Sequence, residues 1–177
     1  MEGGLKNRRH FLLEVYRTVC VEVAGKALVT CGLGIADGHK GGLSLSEGLS
    51  TAIVLEEEGA KLLDVSHGSG APDHVRPKGS RYSGSLHLAH AAKSVVRIPV
   101  IGGGGIRHPA LAEQALQDSM ADMIYVGRGL LADPGWARKT IAGKPESIVR
   151  CRECENCFHF TNSSKCPARR GRNSSCF

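Results

Sequence analysis

Two groups of residues in this 177-residue chain have the types and spacing that chemistry requires. The first is a pair of glycine turns, Gly102-Gly103-Gly104-Gly105 and Gly127-Arg128-Gly129, each placed directly after a short apolar run. Glycine lets backbone N–H groups approach an anion with no Cβ in the way, and a guanidinium presents forked donors that suit phosphate oxygens. Together the two turns predict a phosphate site. Glycines at strand ends also make tight turns with no ligand, so a tetraglycine alone would be weak evidence. A dinucleotide-type pyrophosphate loop fits worse, because the G-x-G-x-x-G spacing is missing and Asp122 begins its strand rather than ending it.

The second group is Cys151-x2-Cys154-x2-Cys157-x8-Cys166-Pro167. Three thiols within one local turn, with a fourth in loop reach, can face a single centre, which suits an iron–sulfur cluster or a tetrahedral ion. A [4Fe-4S] cluster, zinc and reduced thiols without metal all remain open on spacing alone. Five of the seven cysteines lie in this tail, so they form a local device and not a chain-wide disulfide framework. Cys20 and Cys31 read as small core residues. His67 reads as a polar loop residue, and His87 and His90, three apart on a helix, lack a third ligand.

These residues must be positioned by alternating elements. Leu12, Val15, Tyr16, Val19 and Val23 make an apolar stripe on a helix from about Arg9 to Ala24, ended by Gly25. The run Ala27 to Cys31 predicts a buried strand. Ser44 and Glu47 form a capping box for a helix that ends at Gly59, and a strand follows from Lys61 to Ser66. A long loop from His67 to Gly84 precedes a helix over Ser85 to Val95 and a strand over Ile98 to Ile101. Pro109 suits a first helical turn, with Ala110 to Gln117 continuing it. Met123 to Val126 predicts the last strand, and Leu130 to Ala142 the last helix of the body.

Four strands separated by helices predict an α/β fold with a parallel sheet, either doubly wound or part of a barrel. In a barrel, a phosphate site forms from the loops after the last two strands, which is where both glycine turns fall. Hydrophobic residues at 41% and charged residues at 23% exclude a disordered chain, and no apolar run is long enough to span a membrane. With no signal-like N-terminus, the chain reads as cytoplasmic. Of the net charge of +6, much comes from Arg150, Arg152, Lys165, Arg169, Arg170 and Arg172, and the scarcity of aromatics there favours a solvated tail over a nucleic-acid arm.

The stretches Val100-Ile101-Gly102-Gly103-Gly104-Gly105-Ile106-Arg107 and Ala121-Asp122-Met123-Ile124-Tyr125-Val126-Gly127-Arg128-Gly129-Leu130-Leu131-Ala132-Asp133-Pro134 resemble the C-terminal half of the old yellow enzyme family of NAD(P)H:flavin oxidoreductases. Gly3 to Val15, Gly41-Gly42-Leu43 and Asp64-Val65-Ser66 agree with it, and the resemblance runs over most of residues 3 to 157. It implies a partial (β/α)8 TIM barrel over residues 1–147, the last four strands with their helices, followed by a cysteine-rich tail over 148–177. It also implies FMN as cofactor, with Gly103, Gly104, Gly105, Gly127 and Arg128 at the flavin phosphate, and NAD(P)H as electron donor.

In that family hydride passes from the nicotinamide to flavin N5 and on to an activated alkene such as an enoyl thioester. The first half of the barrel supplies the substrate-binding His/His or His/Asn pair and a tyrosine proton donor, so no catalytic residue carries over to this chain. Gly32 stands where the family places an arginine beside the flavin ring. Relatives of the 2,4-dienoyl-CoA reductase and trimethylamine dehydrogenase type carry a [4Fe-4S] site just past the barrel. That resemblance implies Cys151, Cys154, Cys157 and Cys166 as ligands, although two gaps here are shorter. Half a barrel has two open strand edges, so a homodimer or a complementary half-barrel subunit is the expected partner. The isolated chain is expected to be incompetent in turnover. The alternatives are a non-catalytic half-barrel that serves binding or assembly, and a small iron–sulfur electron carrier.

Overall fold

The structure, a computed structural model, describes residues 4–70 and 75–169. Helices and strands alternate as α1 (Leu5–Val23), β1 (Cys31–Gly34), α2 (Leu45–Glu57), β2 (Leu63–Ser66), α3 (Gly84–Lys93), β3 (Val100–Gly103), α4 (Pro109–Gln117), β4 (Met123–Tyr125), α5 (Arg128–Ala132) and α6 (Trp136–Ile141). Short 3-10 turns follow at Pro145–Ser147, Phe158–Phe160 and Ser163–Lys165. The four strands are all parallel and stand in sequential order, β1-β2-β3-β4. A doubly wound sheet reverses its strand order at a switch point, whereas a barrel adds each strand beside the last. Sequential order is that of a barrel segment. None of the described helices is long and apolar enough to cross a membrane.

The chain divides into two compact units. The first comprises residues 1–104 and 115–125 and contains the sheet. Its core is Leu33, Ile35, Leu55, Leu63, Val65, Leu86, Leu88 and Val100, all buried. The backbone of α2 lies so close to the end of β1 that a Cβ at Gly48 would collide with the Ile35 carbonyl. Ser44 caps α2 as its sequence requires: its side chain accepts from Glu47 N–H, and the Glu47 carboxylate accepts from Ser44 N–H at 2.9 Å. The second unit comprises residues 105–114 and 126–177, with Ile106, Ala132, Asp133, Trp136 and Ile148 buried among its described residues.

Several features differ from the sequence expectation. In α1, Leu13 and Tyr16 are buried, but Val15 and Val19 of the expected stripe are 44% and 40% exposed. Ion pairs from Arg8 to Glu47 and from Arg17 to Glu58 anchor a different face of α1 to α2. The first strand forms at Cys31–Gly34 and not at residues 27–31, because pairing with Leu63–Ser66 selects it. The third strand likewise slides from 98–101 to Val100–Gly103, so Gly102 and Gly103 become ladder residues opposite Ile124 and Tyr125. The single helix expected over 130–142 is two helices. Pro134 has no N–H to donate and forces Asp133 into extended backbone, at φ −138° and ψ 96°.

Candidate functional site

The two glycine turns leave the sheet from neighbouring strands at one level, since Gly103 pairs with Tyr125. Gly103 and Gly104 belong to the first unit, and Gly105, Gly127 and Arg128 to the second. After β3, each glycine answers a local demand. A Cβ on Gly103 would stand 2.6 Å from the Tyr125 carbonyl oxygen, and Gly104 and Gly105 have left-handed φ values of +96° and +70°. The Ser83 hydroxyl donates to the Gly103 carbonyl at 3.4 Å, which ties this turn to the start of α3.

The turn after β4 is different. Gly127 has a negative φ, and nothing lies within 4 Å of where its Cβ would be. Its ψ of −93° lies outside the usual regions of an L-residue, and its open Cβ position also leaves room for close approach from outside the chain. Arg128 follows, exposed, and among the described residues its guanidinium has no hydrogen-bond or ion-pair partner. Gly129 is buried, and a Cβ on it would meet Val126 at 2.8 Å. The turn therefore presents an open glycine and an unpaired cation on a helix start fixed by packing.

The loops after β1 and β2 are joined by a residue that the sequence reading missed. The Asp37 carboxylate accepts from the backbone N–H groups of Leu43 and Ser69, each at 2.6 Å. These N–H groups, Leu43 first and then Ser69, hold its carboxyl below the usual range. A Cβ on Gly42 or Gly68 would run into Asp37, so the small residues on both loops exist to admit it. The Asp37-Gly38 pair and the Gly41-Gly42 pair were a readable turn signal, but nothing local identified Ser69 as the partner.

Other singled-out residues are engaged locally. His67 lies within 3.3 Å of the Ser85 hydroxyl, His87 within 2.8 Å of the Ser80 hydroxyl, and His90 within 3.1 Å of the Ser119 carbonyl. Cys31 is buried, and burial pushes its thiol up. Cys20 is half-buried beside Tyr16, whose hydroxyl is pushed up to about 12 by burial and then by Cys20. Gly32 faces open space in β1.

In the second unit, Cys151, Cys154, Cys157 and Cys166 all line one cavity of about 20 Å³, which Arg128 and His159 also line. All four are free, half-buried thiols. Among the described residues no three His, Cys, Asp or Glu side chains are gathered as the ligands of one metal ion. The Nε2 atom of His159 is buried with no hydrogen-bond partner.

The way into the cysteine segment is fixed by Asp133, which is 2% exposed. Its carboxylate accepts from Lys139 Nζ at 2.6 Å, Val149 N–H at 2.8 Å and Gly135 N–H at 3.0 Å. Burial alone would raise its carboxyl, but the ammonium and the two N–H groups outweigh burial and leave it lowered. Lys139 also donates to the Ser147 carbonyl at 2.8 Å, so one ion pair holds α6 and the chain entering Cys151.

A model of the family described as NADH:flavin oxidoreductase / NADH oxidase matches residues 1–147. An NADH oxidase of Thermoanaerobacter brockii is 35% identical over 154 residues, covering 86% of this chain and 24% of that protein. An NADPH dehydrogenase of Geobacillus thermodenitrificans is 30% identical over 152 residues, covering 84% of this chain and 43% of the other. Among solved structures, a 2-naphthoyl-CoA reductase in complex with 2-naphthoyl-CoA superposes with a TM-score of 0.75 at 26% identity, over 88% of this chain and 24% of that one. The chain thus spans about a quarter to under half the length of these relatives.

Proposed function

This chain belongs to the NADH:flavin oxidoreductase / NADH oxidase family, and we propose that it is the flavin-phosphate half of an FMN-dependent NAD(P)H oxidoreductase acting on activated alkenes such as enoyl thioesters. The observation that carries the proposal is the turn after β4, where the Cβ position of Gly127 opens to free space and Arg128 is an exposed cation without a partner among the described residues. Within the second unit, the backbone N–H groups of Gly105 and Gly127, with the Arg128 guanidinium, would hold the phosphate dianion. FMN, when bound, supplies the hydride chemistry, and the protein supplies position and charge. A glycine at position 32 leaves the chain with no cation of its own from β1 for the flavin ring.

The described strands number half of the eight that a closed barrel needs, and β1 and β4 each have an open edge. Turnover in a closed barrel would need four further strands beside these. The resemblance to 2-naphthoyl-CoA reductase supports a thioester substrate class.

Flavin titration of the purified chain tests the site. A charge-assisted hydrogen bond contributes about 1.5–3 kcal/mol, so Arg128→Ala should weaken FMN roughly 10- to 150-fold while leaving riboflavin, which has no phosphate, almost unchanged. Gly127→Ala should weaken FMN more than riboflavin. Equal loss of FMN and riboflavin in Arg128→Ala would make Arg128 a structural residue and end the assignment.

A second reading concerns the tail: Cys151, Cys154, Cys157 and Cys166 hold one [4Fe-4S] cluster. Their common cavity supports it. So does spacing, because C-x2-C-x2-C with a later Cys-Pro is a ferredoxin-type run, whereas structural zinc sites usually bring two separated pairs. About 20 Å³ is room for roughly one water, and among the described residues no three such side chains are gathered around one ion, so the spacing carries this reading. Protein made without oxygen should show broad brown absorbance and bound iron and sulfide, both removed by Cys154→Ala. Anaerobic protein holding zinc, or nothing, refutes the cluster.

A further inference from the structure

The loops after β1 and β2 bring a serine, a histidine and a carboxylate together within the sheet unit, beyond the C-terminal ends of the strands. His39 Nε2 lies 2.6 Å from the hydroxyl of Ser69, 30 residues away in sequence. The other ring nitrogen, Nδ1, lies 3.3 Å from the Lys40 carbonyl oxygen, which can only accept, so Nδ1 carries the proton. In the neutral imidazole Nε2 is then the acceptor, and the Ser69 hydroxyl donates to it. Asp37 Oδ1 stands 3.3 Å from the same hydroxyl and accepts from Ser69 N–H at 2.6 Å. Its carboxyl, lowered by the Leu43 and Ser69 N–H groups and in smaller part by His39, stays ionised beside the pair at neutral pH.

Two other serine–histidine contacts among the described residues differ. Ser85, which meets His67, is buried, and Ser80, which meets His87, is half-buried and already accepts from Tyr82 N–H at 3.1 Å. Ser69 and His39 are both exposed, so a reagent can reach the oxygen. A hydroxyl within hydrogen-bond reach of a base that a third group orients is the arrangement that makes a nucleophile of serine. Barrel folds build their active sites from the loops at this end of the strands.

We propose that Ser69 is a nucleophile that accepts acyl groups from activated esters and thioesters, with His39 as its general base. Ser69 Oγ bonds to the acyl carbon while its proton passes to His39 Nε2. The bond from that carbon to the leaving oxygen or sulfur breaks, and the leaving group departs with the proton. The products are an acyl-serine and an alcohol or thiol, and nothing is oxidised or reduced. The negative charge of Asp37 favours the imidazolium that forms between the two proton transfers. The step uses no flavin and no residue of the turns after β3 and β4.

The test treats the full chain with a fluorophosphonate, which marks activated serines by forming an Oγ–P bond with loss of fluoride, and locates the adduct by peptide mass spectrometry. Ser69 should be marked well ahead of the exposed Ser46, and Ser69→Ala should remove that adduct. General bases contribute about 100- to 10,000-fold, so His39→Ala should slow marking at Ser69 about 100-fold or more. His39→Gln, which can hydrogen-bond the hydroxyl but cannot take up its proton, should be as slow. With p-nitrophenyl acetate the same peptide of the unmutated chain should gain an acetyl group on Ser69. Marking of Ser69 no faster than that of Ser46 overturns the proposal, and that outcome needs no variant to fold. His39→Gln at the parent rate makes His39 a hydrogen-bond partner only and overturns its role as base. A phosphonyl adduct without an acetyl adduct overturns the acyl-accepting role.

Discussion

In the sheet unit, Ile35, Leu55, Leu63, Val65, Leu86, Leu88 and Val100 are the largest fully buried side chains, whereas in the cysteine-bearing unit the corresponding residue is a carboxylate, Asp133. Apolar burial is non-directional and indifferent to pH or ligand. A buried carboxylate is stable only while its ammonium and N–H partners stay in place. The sheet is thus built to stand by itself as a platform for the turns after β3 and β4. The unit that carries the thiols is held by charged clasps, Asp133 with Lys139 and Arg107 with Glu153.

The largest test of that contrast is Leu86→Ala, at a fully buried position in α3. Deletion of a buried leucine costs about 2–5 kcal/mol. The loss should appear in chemical denaturation and as faster hydrogen exchange of the β2 and β3 amides, with little dependence on pH between 5 and 8.

Asp133→Ala should cost about 3 kcal/mol, at the low end for breaking a buried pair because Lys139 remains a quarter exposed. Its faster exchange should be confined to α6 and residues 145–150. The carboxyl of Asp133 is lowered on folding, so the stability it contributes is fully present above the unfolded value of about 3.9 and is lost as pH falls through the folded value. The parent should loosen at α6 on acidification below about pH 4, and Asp133→Ala should not. If Leu86→Ala and Asp133→Ala each speed exchange throughout both units, the contrast between them fails.

The smallest effect is expected from Ser44→Ala, which removes the side chain that accepts from Glu47 N–H and leaves that donor without its cap. A loss of about 1 kcal/mol should follow, read in the same denaturation experiment. A loss above that of Leu86→Ala would mean that capping, and not apolar burial, dominates the sheet unit.

Much of this molecule was legible in its sequence, and the legible parts share a cause. The capping box at Ser44 and Glu47, the helix opening at Pro109 and the parallel α/β alternation depend on residues within a turn or two of each other, and all appear in the structure. The spacing of Cys151, Cys154, Cys157 and Cys166 is equally local, and the four do line one cavity. What the sequence left undecided depended on distant partners. Strand pairing chose Cys31–Gly34 over the more apolar run before it and drew Gly102 and Gly103 into the ladder. Asp37 found Ser69 N–H 32 residues away, and Asp133 found Val149 N–H 16 residues away, contacts that no periodicity encodes. The buried Nε2 of His159 belongs with these. A histidine in a polar tail reads as solvated until the fold of that tail closes around it, because burial is a property of the neighbours and not of the residue.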